Sequence, residues 1–555
     1  MISAFGEASA LGMDNVGNQV PGILATYFLF AIVLTIPVSV IVLLRYRRAV
    51  ARGMRAAGDA TEDRRSTASD TVPHTPAAGA RGRQEARQEN VVRRRMAVIY
   101  SLAGGAAAAV LTAMILLALG EPFSALRAWT VWYVNAWPLL PVLAVLLAWP
   151  RPKALSVMAC YVLAGVAIVL SVSYVSLLVF GQSHTTPFVK AKSFLILLAV
   201  QAWLPYLVIL VTGGRRLRSV SPLVLAGLLV FSYSSLILLN LFVNALDNPS
   251  WQGTLLYFGS NSYHVWFMLA ALPVGFACWR VLRWVGERYE GRAFSDVQLL
   301  VDSWWLIIIF AECASLASDF GWFALFGLSA FVVYRAVVAL GFRLWPVDRS
   351  PPMDGRLLLL RVFGFQRRTE RLFDEIGQRW RLAGSVKMIA GADLAMRTID
   401  PGDLIAFAGG RIKQMFVQSV GDLGQRLGRL DETRDPDGRF RIGEFFCHED
   451  TWRPTLAALA MRSDVVLMDL RGFSKDNSGC LYELDQIVAC GLLARTLFVI
   501  DDATDVQLLR STLPQGVGDA ALSSSGAPSQ LNLERARSQS AAELNRIYGT
   551  LRALA

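Results

Sequence analysis

Lysine is scarce in this chain, with six residues against 48 arginines. That imbalance is a codon-usage trait of GC-rich bacterial genomes rather than a physical requirement. Cysteine is scarce too. Cys160, Cys278, Cys313, Cys447, Cys480 and Cys490 lie in apolar runs or in the C-terminal third, without paired metal-ligand spacing. A disulfide framework is therefore not expected. Residues 1–20 contain Glu7 and Asp14 but no basic residue, so they lack the charged start of a secretory signal peptide. No Walker A sequence is present and no G-x-G-x-x-G follows a strand, which disfavours a P-loop NTPase or an ordinary dinucleotide dehydrogenase.

What the chain has in excess is apolar length. Of its 555 residues 54% are hydrophobic and the mean hydropathy is +0.43, beyond the range of an ordinary soluble protein. Runs of about 20 apolar residues match the roughly 30 Å of a bilayer interior. Nine are expected, at 22–44, 97–119, 129–149, 154–180, 194–212, 223–246, 264–285, 298–317 and 320–343. With the C-terminus inside, the inner loops hold Arg151, Lys153, Arg215, Arg216, Arg218, Arg280, Arg283, Arg288 and Arg292. The outer ones hold only Arg127, Lys190 and Lys192. This asymmetry predicts an N-out, C-in protein of the plasma membrane, with a cytoplasmic C-terminal domain. The formal charge of +11 thus marks topology and does not call for nucleic acid.

Residues 45–95 carry thirteen arginines and almost no large apolar side chain, which predicts a segment without stable structure. A solvated linker and a contact with anionic lipid head groups both fit it. Inside the spans, Asp302 and Arg335 lie equally far from a turn near Ser318 and Asp319, so they should pair across a hairpin. Glu312 has no evident partner. Trp129, Trp132, Trp137, Trp149, Trp304 and Trp305 fall near span ends, as an aromatic belt would. Gly104 and Gly105 predict close helix packing.

From Pro346 onward, apolar strands alternate with helices. Leu357–Phe363, Val386–Ala390, Asp464–Leu470 and Thr496–Ile500 are apolar almost throughout, as strands of a parallel sheet covered on both faces should be. Helices are expected at Thr369–Trp380, Pro401–Phe416 and Thr451–Met461, the last capped by Asp450, and in the stretch after Gly479. Asp422–Arg441, with its Asp435-Pro436-Asp437-Gly438 turn, has the composition of an inserted loop. A doubly wound domain over 354–515 is expected, then a linker at 516–530 and an amphipathic helix from Leu531. That helix could dock on the domain or pair with a second chain. Cys447-His448-Glu449-Asp450 are four neighbours that cannot easily converge on one ion, so no metal site is expected.

The run RSDVVLMDL, a loop, and then NSGCLYEL resembles the second half of a Toll/interleukin-1 receptor (TIR) domain. In that family a helix and an apolar strand lead to Ser-x-Trp-Cys-x-x-Glu-Leu, matched here by Ser478, Cys480, Glu483 and Leu484. The FGFQRR stretch stands where the family has its first strand end and a basic loop. Gly479 replaces the usual Trp, and 422–441 has no counterpart. The resemblance implies a flavodoxin-like fold and one of two roles: a signalling scaffold, or an enzyme that cleaves nicotinamide from NAD with the Glu at position 483 as the catalytic group. NAD would then be the substrate and no further cofactor would be required. Arg367 and Arg368 could clamp its phosphates, with Ser478 beside them, and the same two arginines also fit a solvated basic loop. Glu483 could equally be a helix-dipole acid in the first turns of its helix. A transporter with a regulatory cytoplasmic domain is a third reading, and homo-oligomer formation is compatible with all three.

Overall fold

The computed structural model describes residues 20–55, 81–119, 125–136, 220–245, 262–346, 355–361, 366–390, 401–428, 432–513, 532–536 and 540–555, with a few positions between 156 and 174. Among the continuously described residues, seven α-helices precede the first strand: α1 (Val20–Arg55), α2 (Arg81–Leu119), α3 (Ala125–Ala136), α4 (Ser221–Ala245), α5 (Ser262–Glu290), α6 (Asp296–Phe320) and α7 (Ser329–Leu344). Among the described residues, five segments are long and apolar enough to cross a membrane: Leu24–Arg55, Val91–Leu117, Ser221–Leu239, Asp296–Ala314 and Gly321–Leu344. They make this a membrane protein by length and composition. Helix α5 covers the run expected at 264–285, whereas those at 129–149, 154–180 and 194–212 fall largely outside the described residues.

Helix α6 is the centre of the bundle. It packs on α1 and α4, and Val301, Trp305, Ile308 and Ile309 are buried in one apolar cluster with Leu111 of α2 and Tyr334 of α7. Trp304 and Trp305 are therefore core residues and not members of an aromatic belt; Trp305 lies 5.5 Å from the Tyr334 ring. The turn between α6 and α7 also falls later than expected. Helix α6 runs to Phe320, Gly321 at φ +54 makes the reversal, and a 3-10 segment, Gly321–Leu328, leads straight into α7. Even so, Arg335 donates to Asp302, as the hairpin symmetry predicted. Gly105 meets α3 closely: its carbonyl accepts from Trp132 Nε1 at 2.9 Å, and an added Cβ would lie 3.3 Å from that ring.

The expectation of a structureless 45–95 holds at neither end. Helix α1 continues through Arg55 and α2 begins at Arg81. Tertiary contacts supply what the local composition lacks. Tyr46 and Val50 are buried against Leu404, Phe416 and Phe446 of the C-terminal region, and Arg95 is buried among carbonyls.

The C-terminal region is one seven-stranded parallel sheet in the order β3-β4-β2-β1-β5-β6-β7. Its strands are β1 (Leu357–Arg361), β2 (Val386–Ala390), β3 (Phe416–Val417), β4 (Ile442–Cys447), β5 (Val465–Asp469), β6 (Thr496–Ile500) and β7 (Asn532–Arg535). Between them run α8 (Gln366–Trp380), α9 (Pro401–Ala408), α10 (Val420–Gly428), α11 (Trp452–Met461), α12 (Ser478–Ala489) and α13 (Val506–Thr512), and α14 (Ala541–Leu554) follows β7. Alternate strand residues face opposite layers, as the pleat requires. Leu358, Leu360, Val466 and Met468 pack on Leu456, Leu459, Leu484 and Ile487 of α11 and α12. Leu357, Leu359, Val465 and Leu467 pack on Leu372, Ile376 and Trp380 of α8 and on Leu544, Ile547 and Leu551 of α14. Each leucine buried in this way contributes about 2 kcal/mol of transfer free energy.

Three elements depart from expectation. The stretch 401–416 is not one helix, because α9 ends at Ala408 and a 3-10 turn leads into β3. The inserted loop is shorter than 422–441, since α10 covers its first part and β4 begins at Ile442. The final segment is not a lone helix. Asn532–Arg535 pairs with β6 as an edge strand, and α14, begun by a Ser540–Glu543 capping box, then docks on the sheet through Leu544, Ile547 and Leu551. The N-cap position of α11 is Thr451 and not Asp450, and its side chain does not cap the helix: Thr451 Oγ1 accepts from His448 N at 2.9 Å and donates to the Val417 carbonyl, which ties the helix start to β3.

Candidate functional site

Strand order reverses between β1 and β5, since β1 leads outward to β2 while β5 begins the other half of the sheet. Ligands of open parallel sheets bind at the carboxyl ends of strands at such a switch point. Here that edge comprises the end of β5, the loop 470–477, the first turns of α12 and the start of α8. The opposite edge abuts the spans, because Arg381 and Arg441, just before β2 and β4, reach Asp296 and the Phe294 carbonyl at the start of α6.

The crevice loop is held by its own polar groups. Asp469 closes β5, and its carboxylate accepts from Arg471 Nε and Nη2, both at 2.7 Å. Both side chains are almost fully buried, at 1% and 3% side-chain exposure. A bidentate guanidinium pair of this kind is stiff as well as strong. Gly472 takes φ +71, where only glycine is unstrained, and its N–H donates to Asp501 Oδ1 at 3.0 Å. Asp501 ends β6 and also accepts from Ala503 N at 3.1 Å. Thr504 Oγ1 accepts from Asp501 N and donates to the Leu470 carbonyl, both at 3.0 Å. Asn477 Oδ1 accepts from Ser474 N at 2.9 Å, which fixes the entry to α12.

On α12, Ser478 is the first residue and is exposed at the crevice rim. Glu483 lies on the buried face with Cys480, Leu484 and Ile487, and is only 3% exposed. A carboxylate so removed from water is costly unless surrounding groups or a ligand compensate it, and such groups mark functional sites more often than surface acids do. It is no ordinary first-turn surface acid. Arg367 and Arg368 fall in the first turn of α8, at the same strand edge; their side chains lie outside the described residues. The structure thus places Ser478, Glu483 and the backbone of Arg367 and Arg368 on one edge of the sheet.

Sequence reasoning missed the Asp469–Arg471 pair and Asp501. The signal was available, since two apolar strands each end in an acidic residue, in VVLMDLRG and FVIDDAT. It also missed the stack of Arg453 over Tyr482 and Trp452, whose rings meet edge to face at 5.3 Å beside α12. His448 is a packing residue: its ring stacks on Phe416 at 5.1 Å, and Nδ1 lies 2.6 Å from the Gly53 carbonyl. Among the described residues no group of three His, Cys, Asp or Glu is arranged to hold a metal ion. Burial pushes the Cys447 thiol up to about 11, so it is a core residue and not a reactive thiolate.

No protein-family model matches the chain, and no curated protein matches it either.

Proposed function

We propose that this is an integral membrane sensor or effector whose C-terminal domain is TIR-like and binds or cleaves a nicotinamide nucleotide at the β1/β5 crevice. The observation that carries the reading is the burial of Glu483 on the first helix after the switch-point strand. Without β3 and β4, the strand order is 2-1-5-6-7, the pattern of a flavodoxin-like unit to which two outer strands have been added. The membrane arrangement that accompanies this reading has nine spans, the N-terminus outside and the domain in the cytoplasm, at the plasma membrane. Exposed arginines of the 45–95 segment, among them Arg48, Arg52 and Arg55, meet anionic lipid head groups there.

In the proposed reaction the bond between ribose C1′ and the nicotinamide nitrogen breaks, and its electron pair leaves with nicotinamide. The ribosyl centre becomes cationic, and the Glu483 carboxylate stabilises that charge. Water then adds to C1′ and loses a proton to solvent. No covalent enzyme intermediate is needed. The Asp469–Arg471 pair and Asp501 keep the loop in one shape, so that the charge acts on a fixed geometry.

The experiment uses the full chain in detergent micelles, wild type beside Glu483→Gln, with NAD supplied and nicotinamide release measured. Release by the wild type that drops by at least about a hundredfold in the variant supports the reading, a loss typical of one removed transition-state charge. Absent or equal release in both removes NAD cleavage, and leaves the domain as an interaction module within a membrane complex.

A further inference from the structure

The turn Asp435–Gly438 stands outside everything used so far. It is tied to α2, α5 and α6, and through Arg95 to the end of α7, on the side of the spans that meets the sheet. Arg95 of α2 donates to the Pro436 carbonyl at 3.0 Å, and also to the carbonyls of Trp345 and Phe342 at the end of α7. Ser295, the N-cap of α6, donates to Asp437 Oδ2 at 2.5 Å. Arg292, just after α5, donates to the Thr433 carbonyl and lies 3.6 Å from Asp435.

The same short segment grips the sheet. Phe440 N donates to the Arg381 carbonyl at 2.7 Å, and Arg434 donates to that of Leu382 at 3.2 Å. Lys387 of β2 pairs with Glu432. Arg381 closes the circuit, with its guanidinium bidentate on Asp296, the first residue of α6, at 2.5 and 2.8 Å. Three residues after Arg439 the chain becomes β4. The far end of β4 is held by α1 through His448 and Gly53, where a Cβ on Gly53 would lie 2.5 Å from the Phe416 ring.

We propose that this turn and β4 form the coupling element through which displacement of the spans reaches the sheet. The physical ground is the chemistry of the contact. At the turn it is made chiefly of guanidinium, carboxylate and carbonyl groups, where a well-packed apolar contact of the same volume would be no weaker, while the α1 end is the apolar cluster of Tyr46, Val50, Phe416 and Phe446 and stays fixed. Charged groups can rehydrate when the two halves shift, whereas an apolar seam would resist. Interfaces of that polarity within one chain accompany relative motion. Because β4 is held at one end by Arg95 of α2 and the start of α6 and at the other by α1, any shear between those spans loads β4. Neighbouring β2 and the Arg381 end of α8 share that load. The inference is independent of the reaction proposed for Glu483.

The test is hydrogen exchange by mass spectrometry on the full chain in lipid nanodiscs, wild type beside Arg335→Gln. That substitution breaks the α6–α7 pair with Asp302, remote from the turn in sequence and on the span side of it. Exchange in residues 432–447 is expected to rise by about tenfold while β5 and β6 keep their wild-type protection. Faster exchange confined to α6 and α7 overturns the proposal, as does uniform acceleration of every strand. A second measurement needs no substitution. Wild-type chain is compared in short-chain and long-chain phosphatidylcholine nanodiscs, which tilt the spans differently. Exchange in 432–447 that is identical in the two lipids, with altered exchange in the spans, overturns it equally.

Discussion

Asp435 offers the sharpest quantitative test, because its environment reverses the usual behaviour of an aspartate. The side chain is completely buried, and it accepts from Arg441 Nε at 2.9 Å while Arg292 lies at 3.6 Å. Burial pushes its carboxyl from 3.8 up to about 6, against the pull of Arg441, and Asp437 and Asp296 add to the rise. The folded state therefore holds this proton more tightly than the unfolded chain does. Stability from this group is fully present below about pH 4, declines as pH rises towards 6, and is absent above that. A displacement of about two units corresponds to about 3 kcal/mol. The assay is unfolding of the full chain in detergent across this pH window, wild type against Asp435→Asn, which keeps the shape and removes the titration. The stability of the wild type relative to the variant should fall by about 3 kcal/mol from about pH 4 to about pH 6 and stay level beyond. A difference that is flat, or that grows with pH, would refute the reasoning and mean that the guanidinium groups dominate burial.

Other expectations concern packing and pairing. Leu551→Ala should cost about 3 kcal/mol in chemical denaturation, because Leu551 is fully buried between α14 and the sheet; no change would mean that α14 does not dock. Gly384→Ala should prevent stable folding, read as loss of the unfolding transition, since its Cβ would sit 2.0 Å from the Gly355 carbonyl oxygen. For Asp302 and Arg335, a double-mutant cycle with alanine should return a coupling energy of about 2 kcal/mol; strictly additive losses would show that the pair contributes nothing. Asp464 behaves oppositely to Asp435. Against burial, the bidentate Arg356 and two backbone N–H groups hold its carboxyl low, so the stability it supplies is present at neutral pH and lost under acid. Asp464→Asn should therefore reduce the acid sensitivity of unfolding, measured below pH 4.

The candidate site was partly readable in advance. Ser478 and Glu483 sit on the helix that the sequence resemblance implies, and the burial of Glu483 follows from its spacing with Cys480 and Ile487 on one face. The pairing of Asp469 with Arg471 was not readable. Two charges two residues apart in a loop resemble solvated surface groups until the fold encloses them.

The same distinction runs through the whole chain. Long apolar runs and the near-continuous apolar strands β1, β2, β5 and β6 follow from the sequence alone, because a bilayer and a sheet covered on both faces each demand unbroken hydrophobicity. The Asp302–Arg335 pair follows too, since equal rise on two arms of a hairpin puts equal offsets at equal depth. Only the tertiary structure decided what the charged stretches do. Asn532–Arg535 has no apolar period and becomes a strand by borrowing the edge of β6. Arg95, Arg381, Asp435 and Arg439 look like solvent-facing charges in one dimension, yet they are buried where the spans meet the sheet. Apolar burial leaves a local pattern along the chain. A polar contact between residues far apart in sequence, such as Arg292 with Asp435, leaves none.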